Sequence, residues 1–314
     1  MAQELARSIL VSCNRALEPV DGLFGRDRGS AKPPLFIVGP PRSGTTLSYQ
    51  VITQEFRLAY FTALANYLFG ASNLMAHIVP PLCGRPKASF ESAYGGSVGW
   101  CAPAENGNFW FRWLPRDGEQ GHYISTAAMS AVHMAQMRAA VNSLALIAGR
   151  PFVFKSVYLA MAIGPLAAAF PDARFIHVRR DPFYTCQSLL KARLARPDPR
   201  EWWSVKPPEY RAWRNLPLAE KIVRQVLAVE EIVARDLRSH APGRFRELHY
   251  EALCADPHAQ LSELTEWLAP LGYERYPDTR IPSSFQVSRR VDLPNDMLAT
   301  LREKLAVMTP TGGL

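Results

Sequence analysis

Residues 35–47, LFIVGPPRSGTTL, constrain the fold of this chain more than any other stretch. A short apolar run, Leu35 to Val38, enters a loop bracketed by Gly39 and Gly44, and the residues from Thr45 to Gln54 read as a helix. Glycine, four residues, glycine is the spacing of a phosphate-binding loop. Successive backbone N–H groups turn inward there, and the N-terminus of the following helix favours negative charge. Such a loop needs a strand before it and a helix behind it, which commits the chain to an α/β architecture. A nucleoside triphosphatase places Lys and then Ser or Thr after the second glycine, to hold the β- and γ-phosphates and Mg²⁺. Here Thr45 and Thr46 occupy those positions and Arg42 is the cation of the loop, so the loop suits an anion handled without a metal ion. On spacing alone, a plain tight turn from strand to helix would look the same.

The rest of the chain continues the alternation. Residues 1–31 form a helical extension with a Gly, Asp and Arg-rich connector, and strands are expected at Arg57 to Phe61, Phe152 to Lys155, Arg174 to Arg180 and Phe245 to Tyr250. Helical periodicity covers Gly121 to Ala148, Leu159 to Phe170, Pro182 to Arg193, Leu218 to Ser239 and a segment from Pro257 to about Leu271. Asp181-Pro182 and Asp256-Pro257 read as N-cap followed by first helical residue. A basic loop and a last helix end the chain. Residues 88–118 and 197–217 break the pattern with Gly, Pro and large aromatics, as functional insertions do. Strands alternating with helices imply one domain over residues 1–314, with a central parallel sheet covered on both faces and ligands at the carboxyl ends of its strands.

Composition removes several alternatives. No apolar run reaches the roughly 18 residues of a membrane span, and charges at Glu4, Arg7, Arg15, Glu18 and Asp21 interrupt any secretory signal, which points to the cytoplasm. The five cysteines, Cys13, Cys83, Cys101, Cys186 and Cys254, form no C-x-x-C pair and are expected to be reduced. No G-x-S-x-G elbow is present. The net charge of +8 is dispersed, mostly in arginine, without the runs expected of a nucleic-acid surface. Lysine is scarce, so Lys155 at the end of the apolar PFVFK stands out.

A second segment, RFIHVRRDPFYTCQSLLKAR, places Arg180 at a strand end and Ser188 eight residues later on the next helix, where both can reach one anion beyond the sheet edge. At this point the chain resembles sulfotransferases that use 3′-phosphoadenosine 5′-phosphosulfate. It is closer to the bacterial and tyrosylprotein-type P-R-S-G-T-T branch than to the cytosolic aryl enzymes. Three segments carry the resemblance, in the family's order: residues 35–61, 152–195 and 245–271, the last with LHYEALCADP similar to a Y-E-x-L-x-x-D-P segment. The resemblance implies a P-loop-like three-layer fold. It implies a 5′-phosphosulfate held by Pro41, Arg42, Ser43, Gly44, Thr45, Thr46 and Leu47, a 3′-phosphate held by Arg180 and Ser188, and Tyr250 near the adenine. Arg289 and Arg290 would close over the 3′-phosphate, although the family's R-K-G signature is absent.

The implied reaction moves the sulfuryl group to a hydroxyl, secondarily an amine, of a small-molecule, lipid or carbohydrate acceptor. It releases adenosine 3′,5′-bisphosphate. By analogy with phosphoryl transfer it is an in-line displacement through a loose transition state, so the protein mainly positions reactants and stabilises charge. Arg42 and Lys155 match the basic residues that the family uses there. The general base departs from the family pattern. Lys155 is followed by Ser156 and Val157 instead of the aryl enzymes' Thr and His, and no acid lies between Ala59 and Asn66, where the tyrosylprotein-type glutamate falls. Glu105, in APAENGNFWFRW, is the expected base, with Glu91 and His77 as the other candidates. The aromatics Tyr94, Trp100, Phe109, Trp110 and Trp113 fit an acceptor pocket or a hydrophobic core equally. The other readings of the loop are a nucleotide kinase and a non-catalytic nucleotide-binding protein.

Overall fold

The computed structural model describes residues 2–26, 31–85, 89–90, 99–115, 118–278, 280–289 and 293–309. Four parallel strands, β1 (Leu35–Val38), β2 (Val153–Lys155), β3 (Arg174–Arg179) and β4 (Phe245–His249), lie in the order β2-β1-β3-β4. Twelve α-helices accompany them among the described residues. The first six are α1 (Ala2–Asp21), α2 (Thr45–Glu55), α3 (Ala63–Tyr67), α4 (Ser72–Cys83), α5 (Gly107–Trp110) and α6 (Ala131–Ala148). The others are α7 (Ile163–Ala169), α8 (Pro182–Leu194), α9 (Leu218–His240), α10 (Tyr250–Ala255), α11 (Pro257–Leu268) and α12 (Asn295–Met308). No described helix is long and apolar enough to cross a membrane.

Side chains alternate across β1, so one strand feeds two cores. Leu35 and Ile37 join Ile52 of α2 and Leu261 and Leu264 of α11 on one face. Phe36 and Val38 turn to the other face, where α6, α7 and α9 supply Val141, Leu166 and Val233. Phe36 stacks between Phe154 and Phe175, with ring centroids 5.5 and 5.3 Å away. The result is helix, sheet, helix. Register pairs Ile37 with Lys155, Val38 with His177 and Arg179 with His249, so the carboxyl ends of all four strands share one edge.

Most of the expected elements are present, with three differences. Arg57 to Phe61 is not a strand. Ala59 makes one parallel bridge to Phe152, Thr62 bridges antiparallel to Pro103, and Arg57 donates to the Glu274 carbonyl, so the segment divides its hydrogen bonds among three partners. The helix expected from Gly121 begins instead at Ala131, where the Ser130 hydroxyl accepts the His133 N–H at 3.1 Å. Finally, the cysteines are not all reduced: Cys83 and Cys101 form a disulfide, with Cα atoms 5.5 Å apart. The pairing joins the end of α4 to the segment that runs beside residues 61–64, a proximity that no sequence spacing announces.

The N-terminal helix packs into this body. Asn14, fully buried, accepts the Gly70 N–H at 2.7 Å and donates to the carbonyls of Leu10 and Tyr67. A Cβ on Gly70 would lie 1.9 Å from the Asn14 carbonyl oxygen, which is backbone and cannot swing aside. Gly70→Ala should therefore lower stability by about 2–3 kcal/mol, as overpacking does. Gly22→Ala, where nothing lies within 4 Å, should stay within about 0.5 kcal/mol. Urea unfolding of the two variants checks the contrast.

Candidate active site

The loop after β1 passes close beneath β3. A Cβ on Gly39 would sit 2.5 Å from the Val178 carbonyl oxygen. At the far end, Gly44 has φ 96°, and a Cβ there would meet the Tyr250 ring at 2.3 Å. Glycine is required at Gly44 twice over, by backbone conformation and by the aromatic face against it. Between them Arg42 is left-handed at φ 71° and turns toward α8, where its Nε donates to Ser188 Oγ at 3.0 Å. A non-glycine residue in that conformation stores strain, which is common where a loop is shaped for a ligand.

Arg180, just beyond β3, ties the surrounding pieces together. Its Nη1 donates to the Arg42 carbonyl at 3.0 Å and its Nη2 to the Ser288 carbonyl at 2.5 Å. The guanidinium lies 4.5 Å from the Tyr250 ring centroid. Its Nε is buried, with no hydrogen-bond partner among the described residues. Burial raises the Tyr250 phenol above its ordinary range, which keeps the ring neutral against the loop. Asp181 is spent locally: its carboxylate accepts the Phe183 N–H at 2.8 Å and caps α8.

Lys155, at the end of β2, is almost wholly enclosed. Its Nζ donates to Thr46 Oγ1 at 3.0 Å and pairs with the Glu105 carboxylate. Glu105 reaches this point because its segment is hydrogen-bonded alongside residues 61–63: Ala104 N–H to the Phe61 carbonyl at 2.7 Å, and Ala63 N–H to the Ala102 carbonyl at 3.1 Å. These groups surround one cleft of about 840 Å³. A second, apolar cavity behind residues 58–65 is far smaller, about 40 Å³.

Residues 33–271, about three quarters of the chain, match the family model described as the sulfotransferase family. The chain belongs to the sulfotransferase family. It is 24% identical over 271 residues to omega-hydroxy-beta-dihydromenaquinone-9 sulfotransferase Stf3 of Mycobacterium tuberculosis, covering 81% of this chain and 68% of that protein. The Mycobacterium bovis protein of the same name matches equally. Among solved structures, sulfotransferase STF9 from Mycobacterium avium aligns with a TM-score of 0.49 at 17% identity, covering 90% of this chain and 69% of that one.

In this sulfotransferase the cleft gathers Pro41, Arg42, Gly44, Thr45, Thr46 and Leu47 of the loop with Glu105, Lys155, Arg180, Ser188 and Tyr250. Ser43 is different, because its hydroxyl is buried inside the loop with no partner among the described residues. Arg289 does not line the cleft and lies 5.7 Å from the Tyr184 ring, while Arg290, Glu91 and Tyr94 fall outside the described residues. His77 is also absent from the cleft lining, and its Nε2 is 3.1 Å from the Phe24 carbonyl oxygen. Of the expected pocket aromatics, Phe109, Trp110 and Trp113 are core, packed on Phe36, Phe61 and Phe154, and Trp100 is exposed at the surface. Sequence reading missed Tyr158, Trp203, Ser204, Phe285 and Ser288, which line the cleft from segments with no motif. The aromatic content of 197–217 was the available signal for Trp203.

Gly44→Ala should abolish detectable binding of adenosine 3′,5′-bisphosphate. Tyr250→Ala added to it should restore little, since the positive φ remains unfavourable after the ring is gone. Calorimetric titration of both variants reads this, and near-native affinity of Gly44→Ala would show that the loop relaxes without cost.

Proposed function

We propose that this sulfotransferase takes its sulfuryl group from 3′-phosphoadenosine 5′-phosphosulfate and delivers it to a hydroxyl, secondarily an amine, of a small-molecule, lipid or carbohydrate acceptor. The observation that carries the donor is a pair of anion-binding regions side by side: the loop ahead of α2, and Arg180 with Ser188. Arg42 spans them through its bond to Ser188. Arg180 Nε, buried and unpartnered, is a donor that a bound anion would satisfy. The name of the Stf3 relative supports a hydroxyl acceptor on a lipid.

The donor, when bound, supplies a sulfuryl group already joined to a good leaving group. What remains for the protein is placement and charge. Backbone N–H groups of residues 42–46 would cradle the 5′ anion at the α2 N-terminus. Arg180 and Ser188 would hold the 3′-phosphate, with Tyr250 beside the adenine. Lys155, fixed by Thr46, and Arg42 would stabilise negative charge as it grows on the leaving oxygen. Glu105 would accept the proton of the acceptor hydroxyl at a carboxylate oxygen, and its pairing with Lys155 orients it. Burial of Lys155 strengthens its share of these interactions, because little water competes there.

Two measurements test this assignment. Saturating adenosine 3′,5′-bisphosphate should stabilise the protein by about 2.7 kcal/mol at a hundred times its Kd, while ATP with Mg²⁺ gives a much smaller shift. Equal shifts would point to a nucleotide triphosphate site. Glu105→Gln should reduce kcat by about 10²–10⁴ and leave bisphosphate affinity within twofold. Near-normal turnover would remove Glu105 from the mechanism.

A further inference from the structure

The segment 203–206 is held more rigidly than its irregular backbone suggests. Gln225, fully buried on α9, donates from one amide nitrogen to the Trp203 carbonyl at 3.1 Å and to the Val205 carbonyl at 2.7 Å. The Trp202 indole N–H donates to the same Val205 carbonyl at 3.0 Å. On the other side His122 exchanges two bonds with Lys206: Lys206 N–H to His122 Nδ1 at 2.9 Å, and His122 N–H to the Lys206 carbonyl at 2.8 Å. Upstream, buried Arg193 donates to the Pro199 and Arg200 carbonyls, and downstream Lys221 donates to the Arg214 carbonyl. Buried polar side chains on α8 and α9 thus fix the insertion through its backbone.

At the centre of these anchors stands Ser204, left-handed at φ 67°. Serine adopts that conformation only when its surroundings impose it, and such strain concentrates at binding sites. Ser204 lines the cleft, and among the described residues its hydroxyl has no hydrogen-bond partner. Trp203 and Tyr158 line the same cleft beside it.

We propose that Ser204 is an acceptor-orienting residue, aimed into the cleft by Gln225 and its neighbouring anchors, and that the acceptor it orients is an uncharged alcohol with an apolar body. This rests on the donor reading given above. The cations lining the cleft, Arg42, Lys155 and Arg180, are engaged with Ser188, with Thr46 and Glu105, and with Ser288. The wall that includes Asn66, Tyr67, Val157, Tyr158, Trp203 and Ser204 adds no charge, and among the described residues Glu105 is the carboxylate that lines the cleft. On the donor reading those three cations face the two anions of the donor, so among the described residues an anionic acceptor finds no further cation in the lining and one repelling carboxylate. An alcohol with an apolar body finds aromatic walls and, at Ser204, a group that both donates and accepts.

The test uses the full chain and a matched pair of probes, 2-naphthalenemethanol and 6-(hydroxymethyl)-2-naphthoate, titrated calorimetrically in saturating adenosine 3′,5′-bisphosphate. The neutral alcohol should bind at least tenfold more tightly than its carboxylate. Ser204→Gly, which accommodates the left-handed backbone and removes only the side chain, should weaken the alcohol about three- to tenfold, as loss of one hydrogen bond does. Ser204→Ala should weaken it at least as much. Both should leave bisphosphate affinity within twofold, a separation that loss of structure would not produce. Unchanged alcohol binding by Ser204→Gly, equal or tighter binding of the carboxylate, or no alcohol binding by a protein that binds the bisphosphate would each overturn the inference. A weakened bisphosphate in Ser204→Gly would move Ser204 to the donor site and overturn it too. Failure of the unaltered protein to bind the bisphosphate would instead remove the donor reading itself and the inference with it.

Discussion

Four stretches of chain distant in sequence meet at the guanidinium of Arg180. It leaves the end of β3, bonds the carbonyls of Arg42 and Ser288, and lies over Tyr250 at the start of α10. Each contact holds something that could not hold itself. The loop carries a left-handed arginine, residues 280–289 contain no helix or strand, and Tyr250 must stay against a glycine that leaves it room. A guanidinium is suited to this because it offers several donors in one rigid plane and an apolar face for stacking. A lysine at this position would keep the charge and lose most of the geometry.

The sheet explains why such distant stretches can meet. In a parallel sheet all carboxyl ends lie on one edge, so residues that follow β1, β2, β3 and β4 become neighbours whatever their separation in sequence. Phe36, stacked between Phe154 and Phe175, fixes β2, β1 and β3 relative to one another from one face of the sheet. Core and site are thus one construction: the aromatic stack sets where Lys155 ends, and that end sets where Thr46 and Glu105 find a partner.

This logic also separates what was legible in the sequence from what was not. The strand Leu35 to Val38, the loop and the Asp181-Pro182 cap followed from local rules: period, spacing and capping. Arg180 and Ser188 were expected to converge from their spacing, Lys155 stood out as the lysine ending an apolar strand, and Tyr250 entered through the family resemblance; all four line one cleft. The aromatics of 88–118 were ambiguous because burial depends on partners far along the chain. Phe109 and Trp110 proved to be core because Phe61 and Phe154 lie beside them, a contact across some fifty residues that no periodicity encodes. The Cys83–Cys101 bond and the two-sided bridging of residues 59–62 were hidden for the same reason. Ser204 was invisible because its importance lies in a backbone angle, and serine is an ordinary residue in a loop.

The disulfide has a meaning for how this enzyme could diversify. Cys83 and Cys101 stand on two fixed posts, the end of α4 and the segment hydrogen-bonded beside residues 61–64, and the chain between them leaves and returns at points 5.5 Å apart. Glu105 lies only four residues beyond the second post. Residues inserted, deleted or exchanged between the posts need not be felt by Glu105 or Lys155. The stretch between the posts is therefore free to change over generations while Glu105 and Lys155 keep their places, as a handle can be refitted without touching the blade.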